Sequence, residues 1–288
     1  MPFFAAFLAA FLGLLPWFGQ SLVPQAPAPG EVTVALNRNS GAQPGDPPIL
    51  GSRNPNRPLV VIDPGHGGHD PGATSVHDGA KEKEIVLALA RAVRDELVRS
   101  GKMRVALTRD EDRFIELRER YEIARRMGAD LFVSVHADAA PLNDLARGAT
   151  VYTLSEVASD REAALLAQRQ NQSDLIGGVA LRGQDATVNA ILIDLAQRES
   201  MDVSASFARL VQREAGFPLR PEPHRFASLM VLKAPDVPSV LLETGYLTNI
   251  DDSRFIQSPE GRQQIATSLR RAIEAHFARR MLPQLAAR

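Results

Sequence analysis

The chain has 288 residues, a formal net charge of −1, 44% hydrophobic and 23% charged residues, and no cysteine. That length suits one sizeable α/β domain with short extensions, and the composition is that of a globular rather than a disordered or fibrous protein. The near-neutral charge offers no basic footprint for nucleic acid, and the lack of thiols excludes disulfides, a cysteine nucleophile and cysteine-held zinc, so any metal must sit on His and carboxylate groups.

Phe3 to Phe18 is an almost uninterrupted apolar run. It is shorter than the roughly 20 residues of a membrane span but has the length of a signal-peptide core, so residues 1–28 read as an export signal or a retained membrane anchor. Residues 29–56, rich in Pro, Gly, Asn and Ser, read as a flexible linker, and the folded domain is expected over 57–281. Leu59 to Ile62 is a buried strand running into the Asp63-Pro64-Gly65 loop. Glu82 to Arg99 carries Ile85, Leu89, Val93 and Leu97 at helical spacing. A strand at Arg104–Leu107, a helix at Phe114–Met127 and a second apolar strand at Leu131–Val135 complete a β-α-β-α-β order, which predicts parallel pairing.

Ala149–Leu154 is a further strand. A helix-prone, polar insert at Ser159–Ser200, containing Gly177-Gly178, then interrupts the rhythm. A helix over Asp202–Ala215, strands near Ser228–Leu232 and Ser239–Leu242 and a last helix from Pro259 to Arg280 finish the chain. The expected fold is therefore a single α/β domain with a mostly parallel mixed sheet flanked by helices, plus a helical insert.

Two of the buried strands run into a His: His66 in Asp63-Pro64-Gly65-His66-Gly67-Gly68, and His136 in Ser134-Val135-His136-Ala137-Asp138. In a parallel sheet both imidazoles emerge at the carboxyl edge, where open α/β sheets place their sites. Glu82 opens the helix after the first strand and so starts at that edge as well. Two His and one Glu suffice for catalytic zinc, which takes three protein ligands and leaves a fourth position to water. With two neutral imidazoles and one carboxylate, the Zn2+ site keeps a positive charge that polarises a carbonyl and brings bound water near neutrality in pKa. Glu243 ends the apolar strand Ser239–Leu242 and is the candidate general base toward water and acid toward a leaving amine.

The segments Val61-Ile62-Asp63-Pro64-Gly65-His66-Gly67-Gly68, Lys81-Glu82-Lys83-Glu84-Ile85-Val86-Leu87, Ser134-Val135-His136-Ala137-Asp138 and Leu242-Glu243-Thr244-Gly245-Tyr246-Leu247-Thr248-Asn249 stand in that order. Together they resemble the zinc-dependent N-acetylmuramoyl-L-alanine amidases of the bacterial cell-separation type, the amidase type 3 family, over about Arg57 to Phe277. The resemblance implies zinc held by His66, Glu82 and His136, with Glu243 as the catalytic Glu. It also implies hydrolysis of the amide between N-acetylmuramic acid and L-alanine in peptidoglycan, in cell-wall remodelling and daughter-cell separation in the periplasm. A monomer is expected.

Division amidases of this kind in Gram-negative bacteria carry a helical insert that blocks the zinc until a LytM-type activator moves it, so the resemblance implies autoinhibition by Ser159–Ser200. Relatives often have Glu where Gln170 stands, which leaves Gln170, Asp174 and Glu162 as candidate blocking residues, a neutral amide being the poorer zinc ligand. Asp63 and Asp138 are candidates either to orient the histidines or to cap their loops. Glu84 lies about 200° from Glu82 around the helix and faces elsewhere. His69 and His77 are expected in solvated loop, His224 is a candidate for substrate contact, and Arg109 either anchors a loop or binds a substrate carboxylate.

Overall fold

The computed structural model describes residues 45–140, 143, 145–176 and 190–286. The apolar segment 1–28, most of the proposed linker and Gly177-Gly178 lie outside the described residues. Among the described residues, β1 (Leu50–Gly51), β2 (Leu59–Pro64), β3 (Arg104–Leu107), β4 (Leu131–Asp138), β5 (Ala149–Leu154), β6 (Leu219–Ala227) and β7 (Ser239–Tyr246) form one sheet in the order β1-β3-β2-β4-β7-β5-β6. β3, β2, β4 and β7 are mutually parallel, with β2 as the crossover point between β3 and β4. β1 joins β3 antiparallel, and β5 joins β7 antiparallel with β6 parallel to β5, which makes the sheet mixed.

The central strands are buried on both faces, which is why they read as continuous apolar runs rather than as alternating ones. Val60, Ile62, Leu131, Val133, Val240 and Leu242 point to one face. There they meet α1 (Glu82–Ser100), α5 (Ala190–Glu214) and α7 (Pro259–Ala286) through residues such as Leu89, Val93, Phe207 and Leu269. Leu59, Val61, Phe132 and Leu241 point to the other. They pack with Tyr121 and Ile123 of α2 (Leu117–Arg126) and with Ala163 and Leu166 of α3 (Arg161–Asn171). α1 stops at Gly101, whose left-handed φ of 67° returns its N–H to Val98 O.

Several bounds differ from the sequence expectation for identifiable reasons. β4 continues through His136 to Asp138, and β7 through Glu243 to Tyr246, because their ladder outlasts the apolar side chains, with His136 in register with Glu243. β6 lies at Leu219–Ala227 rather than Ser228–Leu232; as a half-exposed edge strand it has no apolar signature. Met230–Leu232 is instead a 3-10 turn, apolar because Val231 and Leu232 pack into the second core. α5 runs unbroken from Ala190, so the end of the expected insert belongs to the helix that had been expected to begin at Asp202. Following α4 (Ser173–Ile176), that helix carries the chain back to the sheet. The short α6 (Ile250–Gln257) is capped by the Asn249 side chain, which accepts from the N–H groups of Asp251 and Asp252. Leu50 and Gly51, from the expected linker, pair with Val105 and Arg104.

Away from the sheet edge, α7 carries a buried polar group without a hydrogen-bond partner. His276 of α7 is 4% exposed and lies edge-on to Phe207 and Phe277, with Nε2 lacking a hydrogen-bond partner. Burial, reinforced by the charge of Arg280, lowers its pKa to about 4. The unfolded chain takes up this proton below about 6.5, whereas the folded chain does so only near 4. The associated stability is therefore fully present above 6.5 and is lost as pH falls toward 4. Wild-type protein should lose about 2 kcal/mol from this site between about pH 7 and pH 5. His276→Leu should remove that component, so between about pH 7 and pH 5 the melting temperature of the wild type should fall further than that of the variant, and an equal fall in both would exclude His276 as the source.

Candidate active site

The parallel strands β2, β4 and β7 bring their carboxyl ends to one edge of the sheet. β2 ends at Pro64, and the N–H of Gly65 still bonds to Val135 O of β4 at 3.0 Å, so the chain leaves the sheet beside His136. His66 follows with a left-handed φ of 59°, uncommon for a residue with a side chain. The glycines here are missing side chains as much as flexible hinges. A Cβ on Gly65 would lie 2.2 Å from the His136 ring, and one on Gly72 would lie 2.6 Å from Glu82 Oε2 and 2.8 Å from His66 Cδ2. Glu82, first residue of α1, is held by both oxygens: Oε2 accepts from Ala73 N at 2.8 Å and Oε1 from Ala137 N at 2.9 Å.

The structure thus brings together His66, Glu82 and His136, each offering one ligand atom, all within 4.8 Å of one another. The two imidazoles meet edge to face, 4.9 Å between centroids. Glu82 Oε1 lies 3.1 Å from His66 Nε2 and 3.2 Å from His136 Nδ1. His66 Nε2 is buried and makes no hydrogen bond despite that approach, while its Nδ1 pairs with Asp70 Oδ2 at 2.8 Å. Burial alone would lower the His66 pKa, but Glu82 and Asp70 raise it to about 9. The same imidazoles drive Glu82 well below the ordinary carboxylate range against the opposing effect of its own burial. For His136 burial prevails and the pKa falls. An orphaned imidazole nitrogen, a second imidazole and a carboxylate converging on one point, with net negative charge when the histidines are neutral, fit a divalent cation such as zinc.

Asp70 was not singled out in the sequence, although its spacing, four residues after His66 across a glycine turn, is the available signal. Asp63 and Asp138, the residues expected to orient the histidines, are engaged elsewhere. Asp63 accepts from Thr108 Oγ1 at 2.6 Å, Ser134 Oγ at 2.7 Å and Arg120 Nη1 at 3.0 Å. Burial works to raise its pKa, but Arg120 and the two hydroxyls win and lower it. Asp138 pairs with Arg169 of α3 at 3.0 Å.

Glu243 stands in register with His136 on β4 and with Thr150 on β5. It is 1% exposed, and neither carboxylate oxygen has a hydrogen-bond partner among the described residues. Burial first, then the charges of Asp138 and Glu82, raise its pKa well above the usual glutamate value. A buried, unpartnered carboxyl one strand spacing, about 4.8 Å, from a ligand-bearing strand can take a proton and return it.

The remaining sequence candidates fall outside this cluster. Glu84 is exposed, as are His77 and His69, the latter stacked on Phe114. His224 bonds to Thr153 at 2.9 Å. Its strand partner Val151 is in turn level with Leu242, so His224 lies two strands to the side of Glu243 and one residue below it, outside the His66–Glu82–His136 cluster. Arg109 anchors a loop: it is 1% exposed and spends its donors on backbone carbonyls. Of the insert candidates, Asp174 accepts from Leu117 N at 2.9 Å, starting α2, and Glu162 is taken by Arg220, Arg225 and the Tyr246 hydroxyl. Neither belongs to the His66–Glu82–His136 cluster. Gln170 is buried on α3.

Residues 60–275 match the family described as N-acetylmuramoyl-L-alanine amidase. The chain is 39% identical over 243 residues to N-acetylmuramoyl-L-alanine amidase AmiC of Escherichia coli O6:H1, covering 83% of this chain and 56% of that protein. It is 38% identical over 222 residues to AmiA of Escherichia coli K12, covering 76% of each. The chain therefore spans little more than half the length of the AmiC relative. Among solved structures, amidase AmiC2 of Nostoc punctiforme is 29% identical with a TM-score of 0.55, covering 79% of this chain and 99% of that one. The catalytic domain of CwlV from Bacillus (Paenibacillus) polymyxa, 24% identical with a TM-score of 0.56 over 77% of this chain and 98% of that one, shares the fold. With three quarters of its length in the family match, this chain belongs to the N-acetylmuramoyl-L-alanine amidase family.

Proposed function

We propose that the protein hydrolyses the amide between the lactyl group of N-acetylmuramic acid and L-alanine in peptidoglycan, using Zn2+ held by His66, Glu82 and His136 and a proton relay through Glu243. The observation that carries this reading is the meeting of those three side chains at one sheet edge with a buried, unpartnered Glu243 in register beside them. Zinc bound there supplies a Lewis acid that polarises the scissile carbonyl and makes water a competent nucleophile near neutral pH.

The chain's own residues do the rest. Asp70 accepts from His66 Nδ1, which fixes the tautomer and leaves the Nε2 lone pair facing the cluster. Ala73 N and Ala137 N hold the Glu82 carboxylate between the two imidazoles. Glu243 takes the proton of the attacking water as its oxygen adds to the lactyl carbonyl carbon. It then delivers that proton to the alanine nitrogen as the C–N bond breaks, giving a free carboxylate and a free amino terminus. Its apolar, unpartnered setting raises the proton affinity needed for the second step.

We further propose that the protein is exported to the periplasm by its N-terminal segment, acts in separating daughter cells and has a LytM-type activator as partner. No helix among the described residues is long and apolar enough to cross a membrane. Restraint of the site by the insert is supported by α3, whose Arg169 bonds Asp138 and Ala139 O, two and three residues after His136. Glu162 at the other end of α3 grips Tyr246, three residues after Glu243.

Digested sacculi should release free stem peptides beginning with L-alanine; shortened stems still joined to muramic acid would show an endopeptidase or carboxypeptidase instead. Glu243→Gln should lower kcat by roughly 10²- to 10⁴-fold while retaining one zinc per chain by metal analysis. In the wild type, the acidic limb of kcat/KM should lie above pH 4.5, the ordinary glutamate value. Activity should rise with pH as Glu243 loses its proton, and unchanged turnover in the variant would remove Glu243 from the mechanism. Gly65→Ala, whose methyl collides with the His136 ring, should weaken zinc affinity at least about tenfold by chelator competition. If α3 restrains the site, Arg169→Ala should increase activity without an activator several-fold.

A further inference from the structure

We propose that Arg109 and Arg120 are positioning residues for the metal: two buried guanidinium groups that set the spacing of the ligand-bearing segments before any ion arrives. This rests on the assignment of His66, Glu82 and His136 as zinc ligands. Arg109, just after β3, is 1% exposed, and Arg120, on α2, is among the largest fully buried side chains. Both turn toward the loop that follows β2.

Between them they occupy every carbonyl from Pro64 to His66. Arg109 Nε donates to Pro64 O at 3.0 Å and its Nη2 to Gly65 O at 2.7 Å. Arg120 Nη1 donates to Pro64 O at 2.9 Å and its Nη2 to His66 O at 2.8 Å. Those bonds hold His66 in its left-handed conformation, which costs about 1 kcal/mol or more and persists only where surrounding contacts determine it.

Each guanidinium also reaches a second ligand segment. The Arg109 Nη2 that bonds Gly65 O bonds Lys83 O at 3.0 Å, so one nitrogen ties the residue before His66 to the residue after Glu82. Arg120 Nη1 bonds Asp63 Oδ1 at 3.0 Å, and the other oxygen of Asp63 accepts from Ser134 Oγ, two residues before His136. Arg109 thereby links His66 to Glu82, and Arg120 links His66 to the His136 strand.

Packing alone does not account for this arrangement. Arg109 has no carboxylate in its hydrogen-bond set, only the carbonyls of Pro64, Gly65, Lys83 and Glu111. Burial and then the nearby charge of Arg120 act against it. The buried carboxylate of Asp63 offsets Arg120 directly, but Arg109 meets only carbonyl dipoles, so its desolvation is compensated through the backbone groups it holds. What they organise is the backbone on which the proposed ligands stand. A planar fork with five donors reaches carbonyls of several separated segments in fixed directions, which the three donors of an ammonium, all on one atom, do not match.

The test uses the full chain and the variants Arg109→Lys and Arg120→Lys, which keep the charge and lose the fork. Zinc dissociation constants are measured by competition with a chromophoric chelator, and cobalt(II)-loaded proteins are compared by visible absorption. Variants with wild-type far-UV circular dichroism should bind zinc on the order of tenfold to a hundredfold more weakly, with an altered cobalt spectrum. Arg125→Lys, which disturbs the ion pair with Asp236 at the opposite sheet edge, should change thermal stability and leave zinc affinity as in the wild type. Wild-type affinity and spectrum in a folded Arg109 or Arg120 variant would overturn the claim for that arginine.

If a variant does not fold, the wild-type chain decides. The Nε–H protons of Arg109 and Arg120 should exchange slowly with solvent in the metal-free protein, and fast exchange there overturns a cradle built in advance. Failure of the underlying ligand assignment is separately visible: His66→Ala would then bind zinc as tightly as the wild type, whatever the arginines do.

Discussion

Parallel pairing of β2, β4 and β7 is the constraint on which everything else in this protein rests. In a parallel ladder, neighbouring strands finish on the same side, and the helix after each one begins there. His66 just past β2, Glu82 opening α1, His136 on β4 and Glu243 on β7 are spread over nearly 180 residues of sequence. They meet because the registers Pro64 with Val135 and His136 with Glu243 leave them no other place. The double-sided burial of those strands makes the register firm, since a slip by one residue would turn Val133 and Leu242 to the wrong face.

At that edge, carboxylates in similar burial are driven to opposite protonation tendencies by what surrounds them. Asp63 and Glu82 are buried yet satisfied, by hydroxyls and a guanidinium in one case and by the His136 imidazole and two backbone N–H groups in the other. Both are held as anions. Glu243 is equally buried and has none of these partners, so it tends to hold its proton. Separation of this kind lets neighbouring acids do different work, one set fixed as ligands and supports and one free to exchange a proton. The cationic side of the balance is supplied by Arg109 and Arg120 beneath the His66 loop.

The mixed half of the sheet serves a different purpose. β5 turns back against β7, and its first residues flank Glu243, while β6 carries Arg220 and Arg225 toward the acidic end of α3. α3 is thereby fastened by ion pairs at one end to β6 and at the other to Asp138 beside the cluster. Partly exposed ion pairs are weak individually, so the two ends of α3 are held by contacts that can be exchanged, whereas Ala163 and Leu166 pack its buried face into the core.

The sequence by itself determined the central strands, the two long helices around them and the proposed ligand set, because continuous apolar runs and helical spacing are local signals and the four chemistry-bearing segments are contiguous text. Leu131–Val135 and Ser239–Leu242 could be read as strands for that reason, and His136 and Glu243 could be read as lying at strand ends. The tertiary structure alone decided what depends on partners remote in the chain. β6, half-exposed at the edge, has no apolar pattern to read. Asp70 rather than Asp63 supports His66 because a turn folds it back onto Nδ1, whereas Asp63 is drawn to Arg120, 57 positions away. The free carboxylates of the insert found partners in Arg220 and Leu117 N. Arg109 reads in the sequence as a loop anchor or a binder of a substrate carboxylate; only the closed sheet removes it from water and gives it the carbonyls on either side of the site, since hydrogen bonding across distant segments leaves no periodic trace in the sequence.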